Sequence, residues 1–130
     1  MEDGAPQFNT AIKRATVVAK TQGAHAVLIL PADLPLIKPS DIKSFLKHGN
    51  KPPTIVIAPD RRQDGTNCLL VNPAGFLEYG YGPGSFNRHC ERAVANGAKV
   101  EIVHSERLGL DLDLPEDLEY LGGLEKLGIK

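Results

Sequence analysis

The segment ILPADLPLIKPSDI, residues 29–42, decides the fold. It continues an apolar run, AVLIL at 26–30, and then passes to Asp33, an acid set between Pro31 and Pro35. A run with no polar alternation suits a strand covered on both faces. In open α/β sheets the ligand crevice lies just beyond the carboxyl ends of such strands, which is where Asp33 falls. A carboxylate there suits a hard cation such as Mg2+, with phosphates and water completing its shell. The plainer alternative is an acid that caps the turn before Pro35.

Upstream of this segment, PQFNTAIKRATVVAKTQ at 6–22 spaces Phe8, Ile12, Ala15, Val18 and Ala19 as one helical face, and Gly23 closes the pattern. Downstream, a short helix is predicted over 40–48, capped by Ser40 and followed by Gly49. TIVIAP at 54–59 and CLLVNP at 68–73 read as further buried strands, separated by DRRQDGTN with its Asp64-Gly65 turn signal. SFNRHCERAVANG at 85–97 reads as a second serine-capped helix, and VEIVHS at 100–105 as a strand. In the tail, Pro115, Glu116 and Asp117 suit the first turn of a last helix.

This alternation predicts an α/β three-layer sandwich with a mostly parallel sheet. A chain of 130 residues supports one core rather than two, so residues 1–130 are read as a single domain. Doubly wound domains ordinarily open with a strand, whereas this chain opens with a helix and has about four strands. The expectation is therefore a domain that is N-terminally incomplete.

Composition narrows the function. With 42% hydrophobic and 24% charged residues the chain is globular, and a formal net charge of -1 gives no electrostatic ground for nucleic acid or an anionic membrane as partner. No segment reaches membrane-spanning length, and the first twenty residues hold no continuous apolar block, so a soluble, cytoplasmic protein is expected. Cys68 and Cys90 lack CxxC spacing, which points to two reduced thiols rather than a disulfide framework or a zinc site.

Three further stretches carry chemistry. In GLDLDLPEDL, residues 109–118, Asp111 and Asp113 fall on the same side of an extended segment, and such like charges repel unless a cation lies between them. A solvated acidic edge is the alternative; taken with Asp33, the pair predicts carboxylates from two distant segments converging on one metal. YGYGPGSF at 79–86 gathers Gly80, Gly82 and Gly84 ahead of Ser85 at a helix start. Glycines let the backbone approach an anion, and free helix N–H groups favour a phosphate; an ordinary turn with a capping serine is the alternative. RRQDGTN at 61–67 offers the cations Arg61 and Arg62 and the short polar side chains of Thr66 and Asn67, or else a solvated hairpin. His89 follows Ser85 by four residues on one helical face, near the glycine-rich loop. His25, His48 and His104 stand at element ends, no histidine pair has ligand spacing, and no serine sits in a nucleophile elbow, so covalent catalysis is not indicated.

Taken in order, LILPADLPLIKPSDI, DGTNCLLV, YGPGSFNRH and LDLDLPEDL resemble the CofC/FbiD family of phospholactate guanylyltransferases, and FNTAIKRA extends the likeness over nearly the whole chain. The resemblance implies a nucleotide-diphospho-sugar transferase, or glycosyltransferase-A-like, fold. It also implies Mg2+-dependent transfer of GMP from GTP to the phosphate of 2-phospho-L-lactate, phosphoenolpyruvate or 3-phosphoglycerate, with release of pyrophosphate, in coenzyme F-420 biosynthesis. By that likeness Asp33 and one or both of Asp111 and Asp113 hold Mg2+. Thr66, Gly82 and Ser85 receive the acceptor's phosphate or carboxylate, with Asn67, Arg88 and His89 as neighbours. The acceptor phosphate is already a charged nucleophile, so positioning and electrostatics suffice without a general base.

Two departures from the family accompany the likeness. Leu114 stands where a threonine usually precedes the proline, and residues 1–10 do not match the strand and basic loop with which the family grips its nucleotide. The chain is thus expected to correspond to the later two thirds of such an enzyme. Two other readings stay open. One is a non-catalytic fragment or subunit that binds a phosphorylated acid, a second copy or a complementing chain. The other is a nucleotidyltransferase of the molybdenum-cofactor or sugar-phosphate type, which DGTN and YGPGSF fit poorly.

Overall fold

The computed structural model describes residues 5–32, 34, 36–105 and 108. Within them three helices, α1 (Ala5–Thr21), α2 (Pro39–His48) and α3 (Ser85–Ala95), accompany four strands, β1 (Val27–Ile29), β2 (Thr54–Pro59), β3 (Thr66–Asn72) and β4 (Lys99–Ile102). The strands form one sheet in the order β1-β3-β2-β4.

The sheet is mixed, which corrects the expectation of a mostly parallel one. β3 runs antiparallel to both β1 and β2, and only β4 pairs with β2 in parallel. The reason lies in the connection: residues 60–65 make a turn, and a parallel pairing of β2 with β3 needs a crossover of about a dozen residues or more. β1, β2 and β4 still share one direction, with β3 inserted against them between β1 and β2.

Side-chain alternation along the strands builds a core on each face. Ile55, Ile57, Leu69 and Val71 cluster with Leu77, Tyr79, and Phe86 and Ala93 of α3, and Ile12 of α1 packs against them. Val56, Ala58, Cys68 and Leu70 point the other way, onto Phe45 of α2, Leu34 and Leu108. Helices therefore cover both faces, and each fully buried Leu, Ile or Val stabilises by about 1.5–3 kcal/mol. Every residue of β2 is buried, as an apolar run predicts for a central strand.

Local expectations are corrected at three helices. The inner side of α1 carries Asn9, Ile12, Thr16 and Ala19, while Phe8 and Val18 are exposed. Ile12 and Ala19 belong to the predicted face; it is rotated because the neighbouring loop presents polar groups, including the Tyr79 hydroxyl 2.8 Å from the Thr16 hydroxyl. Ser40 is not the cap of α2: the helix starts at Pro39, and the Asp41 carboxylate accepts the backbone N–H of Lys38 at 2.8 Å. Nor does Ser85 cap α3. Gly84 takes that place at φ +75°, a left-handed conformation that suits glycine, and its N–H donates to the Asp64 carboxylate at 3.1 Å. Among the described residues no helix is long and apolar enough to cross a membrane. The tail helix expected from Pro115 lies outside the described residues.

Candidate functional site

The site is prepared by an irregularity where β2 meets β3. Pro59 closes β2 without an N–H to offer the ladder. Ala58 pairs with Cys68 but Pro59 pairs with Thr66, leaving Asn67 as an extra residue. Strict alternation would put Asn67 on the face of Leu69 and Val71, and Thr66 on the face of Cys68 and Leu70. The bulge reverses this, re-aiming side chains as bulges do. Thr66 meets Ser85 and His89 of α3. Asn67, 7% exposed, turns to the opposite face and donates from Nδ2 to the carbonyl of Leu108 at 2.9 Å.

Thr66, Ser85 and His89 thus come together from two elements. The Thr66 hydroxyl lies 3.0 Å from the Ser85 hydroxyl and 2.9 Å from Nδ1 of His89. Ser85 and His89 are buried, at 1% and 0% exposure, and Thr66 is half-buried. Nε2 of His89 accepts the backbone N–H of Gly80 at 2.9 Å. The ring lies edge-on to Tyr81 with centroids 4.9 Å apart. Burial, reinforced by the charges of Arg92 and Arg88, pushes the His89 imidazole down to about 4, so it is neutral at neutral pH.

The glycine-rich loop between β3 and α3 is held by its backbone from several sides. Asn9 of α1 accepts the Tyr81 N–H at 2.7 Å and donates to the Tyr81 carbonyl at 3.2 Å. Arg92 donates to the Glu78 carbonyl at 3.0 Å, and Arg88 to the carbonyls of Gly80 and Pro83. Gly82 has φ +127°, a conformation L side chains rarely adopt. Arg88, expected beside the substrate, is directed onto loop carbonyls and fixes the loop's shape.

Asp33, Asp111 and Asp113, the expected metal ligands, lie outside the described residues. Among the described residues no three His, Cys, Asp or Glu side chains are grouped to hold a metal ion. Leu34, which follows Asp33, and Leu108, three residues before Asp111, belong to one buried cluster. Cys68 and Cys90 are free thiols, and burial raises that of Cys68 to about 12, which leaves it protonated and inert.

Sequence reasoning missed Asn9 and Asp64, both of which hold loop backbone at long range. Asn9 sits 72 residues from the Tyr81 groups it binds, so no local pattern marks it. Asp64 was seen only as a turn former, and its position next to Gly65 gave no sign that it would cap α3.

A family model described as "Guanylyl transferase CofC like" matches residues 1–123. A phosphoenolpyruvate guanylyltransferase of Rubrobacter xylanophilus is 42% identical over 91% of this chain and 59% of its own length. One of Conexibacter woesei is 38% identical over 87% of this chain and 51% of its own. A 2-phospho-L-lactate guanylyltransferase of Methanosphaera stadtmanae is 36% identical over 85% of this chain and 47% of its own. The chain thus spans about half to three fifths of the length of these relatives. A match to the family model over residues 1–123 covers nearly the whole chain, and the chain belongs to the CofC-like guanylyltransferase family.

Proposed function

We propose that this chain supplies the acceptor and metal half of a guanylyltransferase that moves GMP from GTP onto the phosphate of a small phosphorylated carboxylic acid. The acid is phosphoenolpyruvate, 2-phospho-L-lactate or 3-phosphoglycerate, and the reaction serves coenzyme F-420 biosynthesis. One bond forms, from an acceptor phosphate oxygen to the α-phosphorus of GTP, and one breaks, from that phosphorus to the bridging oxygen, so that pyrophosphate leaves. The sheet and its helices would form the later part of a three-layer glycosyltransferase-A-like domain.

The observation that carries the reading is the hydroxyl pair of Thr66 and Ser85 beside a loop whose backbone is already fixed. The N–H groups at the start of α3 are already taken, that of Gly84 by the Asp64 carboxylate, that of Ser85 by the Gly82 carbonyl and that of Phe86 by the Asp64 carbonyl. The two hydroxyls are therefore what suits an anionic group, and a fixed loop binds it without an ordering cost at that moment. The names of the relatives, phosphoenolpyruvate and 2-phospho-L-lactate guanylyltransferases, supply the anion's class.

Asp33, Asp111 and Asp113 would hold Mg2+. This donor set is all carboxylate oxygen, the ligand chemistry Mg2+ prefers. A residue extends the chain by at most about 3.6 Å. The shared cluster of Leu34 and Leu108 is therefore consistent with Asp33 and Asp111 reaching a common point. When bound, Mg2+ supplies charge neutralisation of the nucleotide phosphates.

Pyrophosphate release by the purified chain with Mg2+, GTP and each acid in parallel tests the reading, with turnover on one acid as the expected result. Silence from a folded chain with all three would move the assignment to a binding fragment or subunit. That reading has its own support in the sheet, where β1 is an edge among the described strands and offers pairing to another chain.

A further inference from the structure

We infer that His89 is a positioning residue whose Nδ1–H tautomer makes the Thr66–Ser85 hydroxyl pair a hydrogen-bond donor toward the acceptor's anionic group. The inference rests on the acceptor-site reading and adds to it the residue that sets the polarity of that site.

The argument begins at the far side of the ring. Gly80 offers a backbone N–H, which can only donate, and it meets Nε2 at 2.9 Å. Nε2 is therefore the unprotonated nitrogen. In a neutral imidazole the proton then sits on Nδ1, which faces the Thr66 hydroxyl at 2.9 Å. A fully buried ring beside Arg88 and Arg92 has no reason to take a second proton. Gly80 thus fixes the tautomer, and Thr66 is made to accept.

Counting hydrogens gives the consequence. Thr66 and Ser85 together hold two hydroxyl hydrogens, and the 3.0 Å bond between them uses one. With Nδ1 as donor, the other hydrogen stays free. When Ser85 donates to Thr66, that free hydrogen sits on Thr66, the half-buried and more accessible member of the pair. With the opposite tautomer, Thr66 would spend its hydrogen on Nδ1 and Ser85 would spend its own on Thr66. The pair would then present only lone pairs, which repel a phosphate or carboxylate. One backbone N–H, relayed through one ring, thus decides whether this hydroxyl pair keeps a hydrogen to offer an anion.

Two substitutions separate the two ends of the ring. In His89→Asn the side-chain N–H₂ falls near the place of Nδ1 and can still donate to Thr66, although the Gly80 N–H loses its acceptor. In His89→Gln the side-chain oxygen falls near the place of Nε2 and keeps Gly80, but nothing donates to Thr66. In H89Q the Thr66 hydroxyl is no longer held from behind by a donor and is free to turn its hydrogen away from the ligand, and losing that preorganisation is expected to weaken phosphoenolpyruvate binding about 5-fold. H89N is expected to restore most of that loss.

The test uses the full chain, labelled with ¹⁵N at histidine, and phosphoenolpyruvate as the probe. Long-range ¹H–¹⁵N spectra read the tautomer of His89 in the unsubstituted protein, and calorimetric titration of the three proteins reads affinity, with amide spectra confirming that each variant is folded. The expected result is a protonated Nδ1, a bare Nε2, and weaker binding by H89Q than by H89N. An Nε2–H tautomer in a protein that binds phosphoenolpyruvate overturns the inference and leaves the acceptor site standing. Equal affinity of H89Q and H89N overturns it as well. A protein with the expected tautomer and no phosphoenolpyruvate binding overturns the acceptor-site reading itself, and the role of His89 falls with it. The tautomer measurement needs no variant, so a variant that does not fold leaves the inference open to refutation.

Discussion

Asn67 reaches across the sheet to Leu108, its Nδ2 donating to that carbonyl at 2.9 Å over 41 residues of sequence. The bond joins the bulge that aims Thr66 to the stretch three residues before Asp111. The two halves of the proposed site therefore share one anchor. Asn67→Ala leaves a buried carbonyl without its partner, at a cost of about 1–3 kcal/mol. It is expected to lower the urea midpoint and also to weaken Mg2+ binding. A destabilised N67A with unchanged Mg2+ affinity would separate this anchor from the metal half.

Asp33 follows the apolar run AVLIL in sequence. Asp33→Asn removes the negative charge while keeping the shape. Expected is the loss of Mg2+-dependent turnover, or of Mg2+-dependent GTP binding where turnover is absent. Mg2+ dependence identical to that of the unsubstituted chain would remove Asp33 from the metal assignment, and chelation of the metal with EDTA gives the reference for complete loss.

Thr66→Val keeps the volume and deletes the hydroxyl that faces both Ser85 and His89. The buried Nδ1–H then has no acceptor, which costs about 1–3 kcal/mol of stability. Phosphoenolpyruvate affinity should fall by about 10-fold or more, the effect of losing a hydrogen bond to a charged group. A folded T66V that binds the acid as tightly as the parent would place the acceptor elsewhere.

Much of this arrangement is legible in the sequence. The sequence predicts the central strand 54–59 with its observed bounds, because an uninterrupted apolar run reports burial on both faces. Thr66, Ser85 and His89 were each singled out, and they do meet. The direction of β3 was misjudged although the Asp64-Gly65 turn was recognised; a six-residue connection permits a hairpin and forbids a crossover. The rest depended on distant partners. Nothing local to α1 says that Asn9 and Thr16 outrank Phe8 and Val18 for the inner face, since the groups they meet lie on a loop more than sixty residues later. The exchange of faces between Thr66 and Asn67 follows from one irregular pairing at Pro59, and cross-strand register is invisible to periodicity within a strand.

His89 also makes stability depend on pH, with a sign fixed by its environment. Its folded value is lowered from 6.5 to about 4 by burial, then by Arg92 and Arg88. Between those values the unfolded chain binds more protons at this residue than the folded one, so stability rises with pH across the window. The contribution is fully present above about 6.5 and is lost as pH falls toward about 4, amounting to about 3 kcal/mol in order of magnitude. The groups facing the ring are the Thr66 hydroxyl, the Gly80 N–H, the Tyr81 ring, and the cations Arg88 and Arg92. Urea denaturation at pH 7.5 and at pH 4.5 is expected to show a larger loss in the parent than in His89→Gln, which cannot titrate at this position. Equal losses in the two proteins would mean that the ring is protonated in the folded state as readily as in the unfolded chain, and the neutral buried imidazole would have to be abandoned.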